Sequence, residues 1–468
     1  MDKRVSIPVT LPRDKPTVAY WQDPPDEIAD LRSSSQLPGD ADVVIIGSGI
    51  TGAGIACNIL SRAPHTKIVM LEARQACSGA TGRNGGHTKP ASYVSFSANA
   101  ESIGLEEAIK IARLEYNTLR HIHAFAKEHN IPCDNRQLET VDIVYDQKTW
   151  DDSVKTIELM RKCMPGDPAS QYTVWTGKDA EEKFLCPGAV GAITYEAGSV
   201  SAYKFVIGIL KLCLEKGLNL QTNTPVTRLS RQGGQGWAVE TDRGTIYSPK
   251  VILATNGYTA AIYPKLQGVI VPLRGQITAH RPGANMPKTG LPRTYSFIYG
   301  NGFEYMIPRP PGSKHAGDIV IGGGLAIAKE EGLYQYGTVD DTVCDTDIVD
   351  YLIASTERYF GKNWGKDDPA GRIRMHWSGI MGYSADGHPL VGEMPGETGL
   401  YISASFQGHG MVLSFLCSQA LTSMLFGDDE QCLFAWFPKT YKITSQRLKQ
   451  KFEKRITRLI TPEVKSQL

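Results

Sequence analysis

With 468 residues, 41% of them hydrophobic and 21% charged, the chain has the make-up of an ordinary globular protein of two or three domain-sized units. Fifty Lys and Arg against forty-nine Asp and Glu leave a net charge of +1, which removes the electrostatic case for nucleic acid or an anionic membrane as the main partner and favours a small molecule. The nine cysteines show neither a C-x-x-C pair nor metal-ligand spacing, so they read as reduced thiols of an intracellular protein, and no metal is expected.

The first residues, "MDKRVSIPVTLPRDKPTVAYWQDPPDE", are charged and broken by proline, with no apolar core of signal-peptide length. No window approaches the roughly 18 apolar residues that span a bilayer, so a soluble protein without membrane insertion is expected. Residues 1–40 read as an irregular arm whose Tyr20-Trp21 pair packs on the body. "DVVIIGSGITGAG", residues 42–54, then runs an apolar, β-branched strand into a glycine-rich turn and a helix packed through small residues. Gly47 suits the tight turn, Gly49 lets backbone approach a pyrophosphate, and Gly52 lets helix and strand come close, while Ile50 and Thr51 open a helix whose free N–H groups would hold phosphate. The second strand, "KIVMLEARQ", ends in Glu72, twenty residues after Gly52 and followed by Ala73 and Arg74. An acid there takes the two hydroxyls of an adenosine ribose and repels a 2′-phosphate, leaving FAD or NAD rather than NADP.

Next comes "ACSGATGRNGGHTKP", residues 76–90, too polar and flexible to be the next strand of an NAD-binding fold. Charged helical stretches such as "EEAIKIARLEYNTLRHIHAFAKEHNI" follow. Residues 218–260 read as strand, hairpin and strand, with the turn at Asp242-Arg243-Gly244 and an ending "VILATNGY". "VIVPLRGQITAH" and "GFEYMIPRP" are strand-like. Residues 376–428 contain a glycine-rich turn that opens a helix from His409 onward, aiming N–H donors and a positive dipole end at one place, where reduced flavin would carry negative charge. The tail "YKITSQRLKQKFEKRITRLI" reads as a basic amphipathic helix with a solvated face. The chain ends Ser466-Gln467-Leu468, one substitution from the S-K-L peroxisomal address, and reads as an ordinary terminus or a weak form of that address.

These segments resemble the D-amino-acid-oxidase-like superfamily of FAD-dependent oxidoreductases, which includes glycine, sarcosine and amine oxidases; the γ-glutamylputrescine oxidase type, with its G-A-S-G-R-N-G-G loop, looks nearest. The resemblance implies an α/β fold: a Rossmann-type FAD-binding domain with a second α+β substrate domain built on a mixed sheet that roofs the flavin. It implies an arm at 1–40, FAD-binding pieces at 41–95, 195–265 and 370–440, substrate-domain pieces at 96–194 and 266–369, and a basic C-terminal helix at 441–468. It also implies that Ser78, Thr81, Arg83, Asn84, Gly85 and Gly86 line FAD, that Val226 lies against the adenine, and that Ala254, Thr255, Asn256 and Gly257 pass the cofactor. The closing signature maps to Trp377 and Gly379; Asp386, Pro389 and Gly392; and Gly408, His409, Gly410 and Met411.

For catalysis the candidates are His87, Arg274, Tyr305 and Arg309. Either arginine serves as a bidentate clamp for a substrate carboxylate or as a plain structural cation. His87 is a structural histidine, a proton-handling group, a cation near the oxygen site or a point of covalent attachment. Several relatives tether FAD through a cysteine where this chain has "IMGYSA", with Met381, so noncovalent FAD is expected. The implied reaction is oxidation of a carbon–nitrogen bond of an amine or amino acid to an imine, with O2 reduced to H2O2. The alternatives are a dehydrogenase passing electrons to another acceptor and a flavin-binding module without turnover.

Overall fold

Four consecutive buried β-branched residues, Val43–Ile46, leave no face for solvent, and a strand of that kind belongs in the middle of a parallel sheet. In the computed structural model, which describes residues 2–233, 236–300, 302–450 and 452, it sits there. The six-stranded sheet runs Leu390–Glu393, Leu400–Ala404, Lys250–Leu253, Val43–Ile46, Ile68–Leu71, Asn219–Gln221, parallel except for its Leu390–Glu393 edge. Val43 pairs in register with Ile68 on one side and Lys250 on the other. The helix Ile50–Arg62 packs against the helices Ala202–Glu215 and Ser414–Phe426 through small residues, Gly54 facing Ser418. The expected hairpin forms, with Gly244 opposite Thr241 in a separate three-stranded sheet.

A second, nine-stranded sheet is mixed: Thr294–Tyr299 runs parallel to Arg136–Val144, and the other described pairings are antiparallel. Side chains alternate between its faces. One face sends Tyr295, Phe297, Met306, Ile319 and Ile321 into a core with Phe184, Tyr359 and Phe360 of the helices Gly177–Phe184 and Thr346–Phe360. The opposite face carries His87, Asp142, Ser296, Tyr305 and Met381 and looks onto the glycine-rich segment 77–86.

That segment is not the simple loop its composition suggests. A 3-10 turn at Ala80–Arg83 is followed by a two-residue strand, His87–Thr88, which pairs with Gly198 and Ser199 and so becomes an edge of the roof. Gly86 makes the junction: φ is +76°, and a Cβ there would lie 1.9 Å from Val200 O. The helix expected from His409 also differs: it begins at Ser414, after a 3-10 turn at Gly410–Val412. Of the expected C-terminal helix, residues 442–450 are irregular apart from a 3-10 turn at Arg447–Lys449; residues 453–468, with the Ser466–Leu468 terminus, lie outside the described residues. Among the described residues no helix is long and apolar enough to cross a membrane.

The arm is wedged between the two sheets. Tyr20 stacks on Trp377 with ring centroids 6.0 Å apart, and Trp21 Nε1 donates to Asn84 O. Thr17 N donates to Asp341 O at 2.7 Å, and the Arg83 guanidinium donates to both Thr17 oxygens. At the centre lies the fully buried Asp341 carboxylate, which accepts both terminal nitrogens of Arg74 at 3.1 and 3.0 Å and lies 3.9 Å from Arg83 Nε. Removing one partner of such a buried pair strands the remaining charge. Asp341→Ala is therefore expected to lower unfolding free energy by about 3–5 kcal/mol, read by urea denaturation, whereas breaking an exposed pair such as Lys148–Asp152 should leave the curve unchanged.

Candidate active site

The turn after the first strand is shaped by contacts as much as by conformation. Gly47 has φ +105°, and a Cβ on it would sit 2.6 Å from Ala254 O; a Cβ on Gly52 would sit 2.0 Å from Gly47 O. Gly49 differs. Only Thr81 Oγ1, at 3.0 Å, and Thr81 Cβ crowd it, so its outer side is open. Thr81 Oγ1 accepts from Ile50 N at 3.1 Å, while the N–H groups of Thr51 and Gly52, in the first helical turn, have no intrahelical acceptor. Glu72 stands at the end of the neighbouring strand, its carboxylate oriented by Ser48 N and Oγ at 3.1 and 2.6 Å and by Arg74 N at 3.1 Å. The backbone of Asn223 and Thr224 donates to Arg74 O and Glu72 O, which brings Val226 alongside.

Several residues expected at the cofactor turn their side chains elsewhere. The Arg74 and Arg83 guanidiniums belong to the Asp341 cluster, with Arg83 Nε also donating to Ser378 O; burial pulls Arg83 down to about 10, still cationic at neutral pH. Trp377 Nε1 donates to Arg83 O at 2.7 Å and so holds the loop from behind. Asp386 takes a bidentate hydrogen bond from Arg447 at 2.7 and 3.1 Å. Ser78 Oγ is buried without a partner. Asn84 Oδ1 accepts from Gly86 N, and Gly85 lies against the Tyr305 ring. In the Ala254–Gly257 turn, Asn256 Oδ1 accepts from Ser405 N at 2.9 Å, while Thr255 Oγ1 meets Thr259 Oγ1 and a Cβ on Gly257 would meet Met381 O at 2.4 Å.

Between this cradle and the roof lies a cleft. His409 keeps exposed surface there, while desolvation by its neighbours and the charge of Lys89 carry its pKa down to about 4. His87 is likewise held well below the ordinary histidine value by burial and by Lys89 and His409, and its Nε2 meets Thr294 Oγ1 at 2.8 Å. The His87–Thr88 strand packs on the Gly410–Val412 turn, so both imidazoles, neutral at pH 7, look into one space. Tyr305 joins them from the roof, its hydroxyl pushed up by burial.

The two candidate arginines are not in this space. Arg274 is on the opposite face from Gly275, donating to Gln335 Oε1 and Asp340 O. Arg309 pairs with Asp134 at 2.7 Å and lies over Trp21, 4.6 Å from its ring centroid. The cation that does approach the histidines is Lys89, which the sequence reading passed over. Its Nζ donates to Asp142 Oδ1 at 2.7 Å and Ser296 Oγ at 2.6 Å, and Asp142 Oδ2 accepts from Tyr93 and Tyr195. A lysine inside the otherwise uncharged run "GGHTKPASY" was the available signal.

A profile of the FAD dependent oxidoreductase (DAO) family matches residues 42–424. The chain belongs to that family. It is 24% identical over 400 residues to a probable oxidoreductase OrdL of Rhizobium meliloti, covering 84% of this chain and 85% of that one. It is 21% identical over 395 residues to γ-glutamylputrescine oxidoreductase of Escherichia coli, covering 83% and 84%. The crystal structure of glycine oxidase from Geobacillus kaustophilus superposes with a TM-score of 0.69 at 20% identity, over 87% of this chain and 99% of that one, which shows a shared fold.

The enzyme is thus an FAD-dependent oxidoreductase, and its cradle fits the cofactor: an open Gly49, helix-end N–H donors and an oriented acid. Among the described residues no cluster suits a metal, and the nine cysteines are free. Gly52→Ala, whose Cβ strikes backbone, is expected to fail to fold or to melt far below wild type. Gly49→Ala should melt near the wild-type apoprotein yet bind FAD at least about tenfold more weakly, measured by fluorescence titration. Because the unfolded-state His409 takes up its proton near pH 6.5 and the folded one only near 4, its contribution to stability is full above that window and lost as pH falls through it. Denaturation of His409→Gln at pH 7.5 and 5 should accordingly show a stability that falls less between the two than that of wild type.

Proposed function

We propose that the enzyme oxidises a carbon–nitrogen bond of an amine or amino acid to the imine, with O2 reduced to H2O2. The observation that carries this reading is the convergence of two neutral imidazoles, the Tyr305 hydroxyl and the Lys89–Asp142 pair on one space beside the glycine cradle. The activities for which the γ-glutamylputrescine oxidoreductase and glycine oxidase relatives are named support it. In this reading the chain divides as the sequence suggests, with the FAD-binding pieces at 41–95, 195–265 and 370–440.

Bound FAD supplies the acceptor for the hydride equivalent removed from the carbon next to nitrogen. The protein's task is to deliver that carbon beside an uncharged nitrogen. An amine enters from water as an ammonium ion; a desolvated site beside the Lys89 cation disfavours that ion, so the free amine binds and its excess proton stays with solvent. Neutral His409 then accepts a hydrogen bond from the uncharged nitrogen, and His87, with Nε2 committed to Thr294, keeps Nδ1 for the same purpose. Lys89 holds positive charge near both rings and disfavours a permanent proton on either. Tyr305, lying against Gly85 and Gly322, offers its hydroxyl to the substrate and closes the cleft to water. The cofactor-facing residues in this reading are the 47–52 turn, Glu72, 78–86, Val226, 254–257 and 408–411, with Trp377, Arg74, Arg83 and Asp386 acting through the loops they hold.

Anaerobic mixing with a panel of amino acids, N-methyl amino acids and polyamines should bleach the flavin with at least one class, and air-saturated turnover should release H2O2. Bleaching without peroxide would move the enzyme to the dehydrogenase reading, and no bleaching at all would overturn amine oxidation. His409→Gln, which replaces the ring nitrogens with an amide, should slow the bleaching step by about tenfold. Acid precipitation should leave the flavin in the supernatant, as expected for a cofactor without a covalent tether.

A further inference from the structure

The roof face above the cleft carries a second cationic group at its rim. Arg136 opens the strand Arg136–Val144 and lies in one register row with Ser199 and His87, so the three side chains share a face. Two interstrand steps of about 4.8 Å each separate Arg136 from His87 along that row. The guanidinium is half-buried, and among the described residues it has no carboxylate or carbonyl acceptor. Its electrostatic neighbour is another cation, Arg309, and burial together with that repulsion lowers the Arg136 pKa. Arg309 pairs with Asp134 at 2.7 Å, but the same carboxylate faces Lys204 Nζ at 3.6 Å, and Arg309 Nε is buried without an acceptor. Arg309 and Lys204 therefore share one acid, and Arg136 beside them has none. Five guanidinium donors partly withdrawn from water beside a like charge make an arrangement that an incoming anion relieves.

Closer to the histidines the protein offers no such charge. Arg274 is on the far face, and Lys89 is already neutralised by Asp142. We propose that Arg136, backed by Arg309, anchors a carboxylate at the far end of the substrate, so that the enzyme takes amines whose oxidised carbon–nitrogen bond and anionic group are separated by several bonds. The proposal rests on the amine-oxidation reading and adds to it a substrate class: ω-carboxylated amines ahead of compact α-amino acids. A planar fork meeting a carboxylate gives paired, charge-assisted hydrogen bonds, which an isosteric amide cannot reproduce.

The test is the rate of anaerobic flavin bleaching with 5-aminopentanoate against its uncharged partner 5-aminopentanamide, for wild type, Arg136→Gln and Arg136→Lys holoenzymes matched for FAD content and melting temperature. Wild type should favour the carboxylate by roughly ten- to hundredfold in the second-order constant, Arg136→Gln should bring the ratio near one, and Arg136→Lys should restore part of it. Pentanoate, which cannot react, should perturb the visible flavin spectrum of wild type and do so only at much higher concentration in Arg136→Gln. Equal rates with the two partners in wild type, or an undiminished preference in Arg136→Gln, would overturn the proposal while leaving amine oxidation standing. Failure of every amine in the wider panel to bleach the flavin would remove both.

Discussion

The buried carboxylate of Asp341 is the constraint on which the cofactor side of the molecule depends. Two arginines of the glycine-rich segment, Arg74 and Arg83, converge on it, and the backbone of the same residue receives Thr17 of the arm. A charge with no exposed surface must be surrounded by donors, so the segment between Glu72 and Gly86 has little freedom to open. That rigidity is what a glycine-rich loop needs if it is to form a cofactor wall: composition alone would make it mobile. Trp377 and Tyr20 extend the same support by stacking and by a hydrogen bond to the loop backbone.

Above this fixed floor, the chemistry is arranged by withholding charge. Both imidazoles are neutral, the tyrosine hydroxyl is un-ionised, and the nearby cation Lys89 is paired with Asp142, which accepts from three donors. In a low-dielectric space each unbalanced charge would bias the proton on every neighbour. The net result is a cleft that favours a free amine over its ammonium ion. Unbalanced charge gathers at the half-buried Arg136, with the buried Arg309 beside it.

The floor was legible in the sequence because its logic is local. A buried strand, glycines at fixed offsets and an acid twenty residues on are read within one βαβ unit, and the 2.0 Å approach of Gly52 to Gly47 O is the contact that spacing encodes. The roof was legible only as strand-like stretches. Which residues face the cleft depends on parity along each strand: Arg274 and Gly275 are neighbours in sequence and point to opposite sides, so Arg274 lies one residue out of step with the cleft face. Lys89 and Asp142 are brought together by pairing between distant strands, and no short-range pattern announces that meeting. The late start of the Ser414–Phe426 helix has a simpler origin, since Gly410, Met411 and Val412 form a tight 3-10 turn before the α-helix takes over.

The wedge at Thr17–Trp21 also bears on the order in which the parts of the chain find their places. Its partners are Asn84, Asp341, Trp377 and Ser378, so this segment has no complete seat until some 360 residues more have been made. Pairings of such long sequence separation form late. The loop that the arm braces is therefore among the last parts of the fold to set.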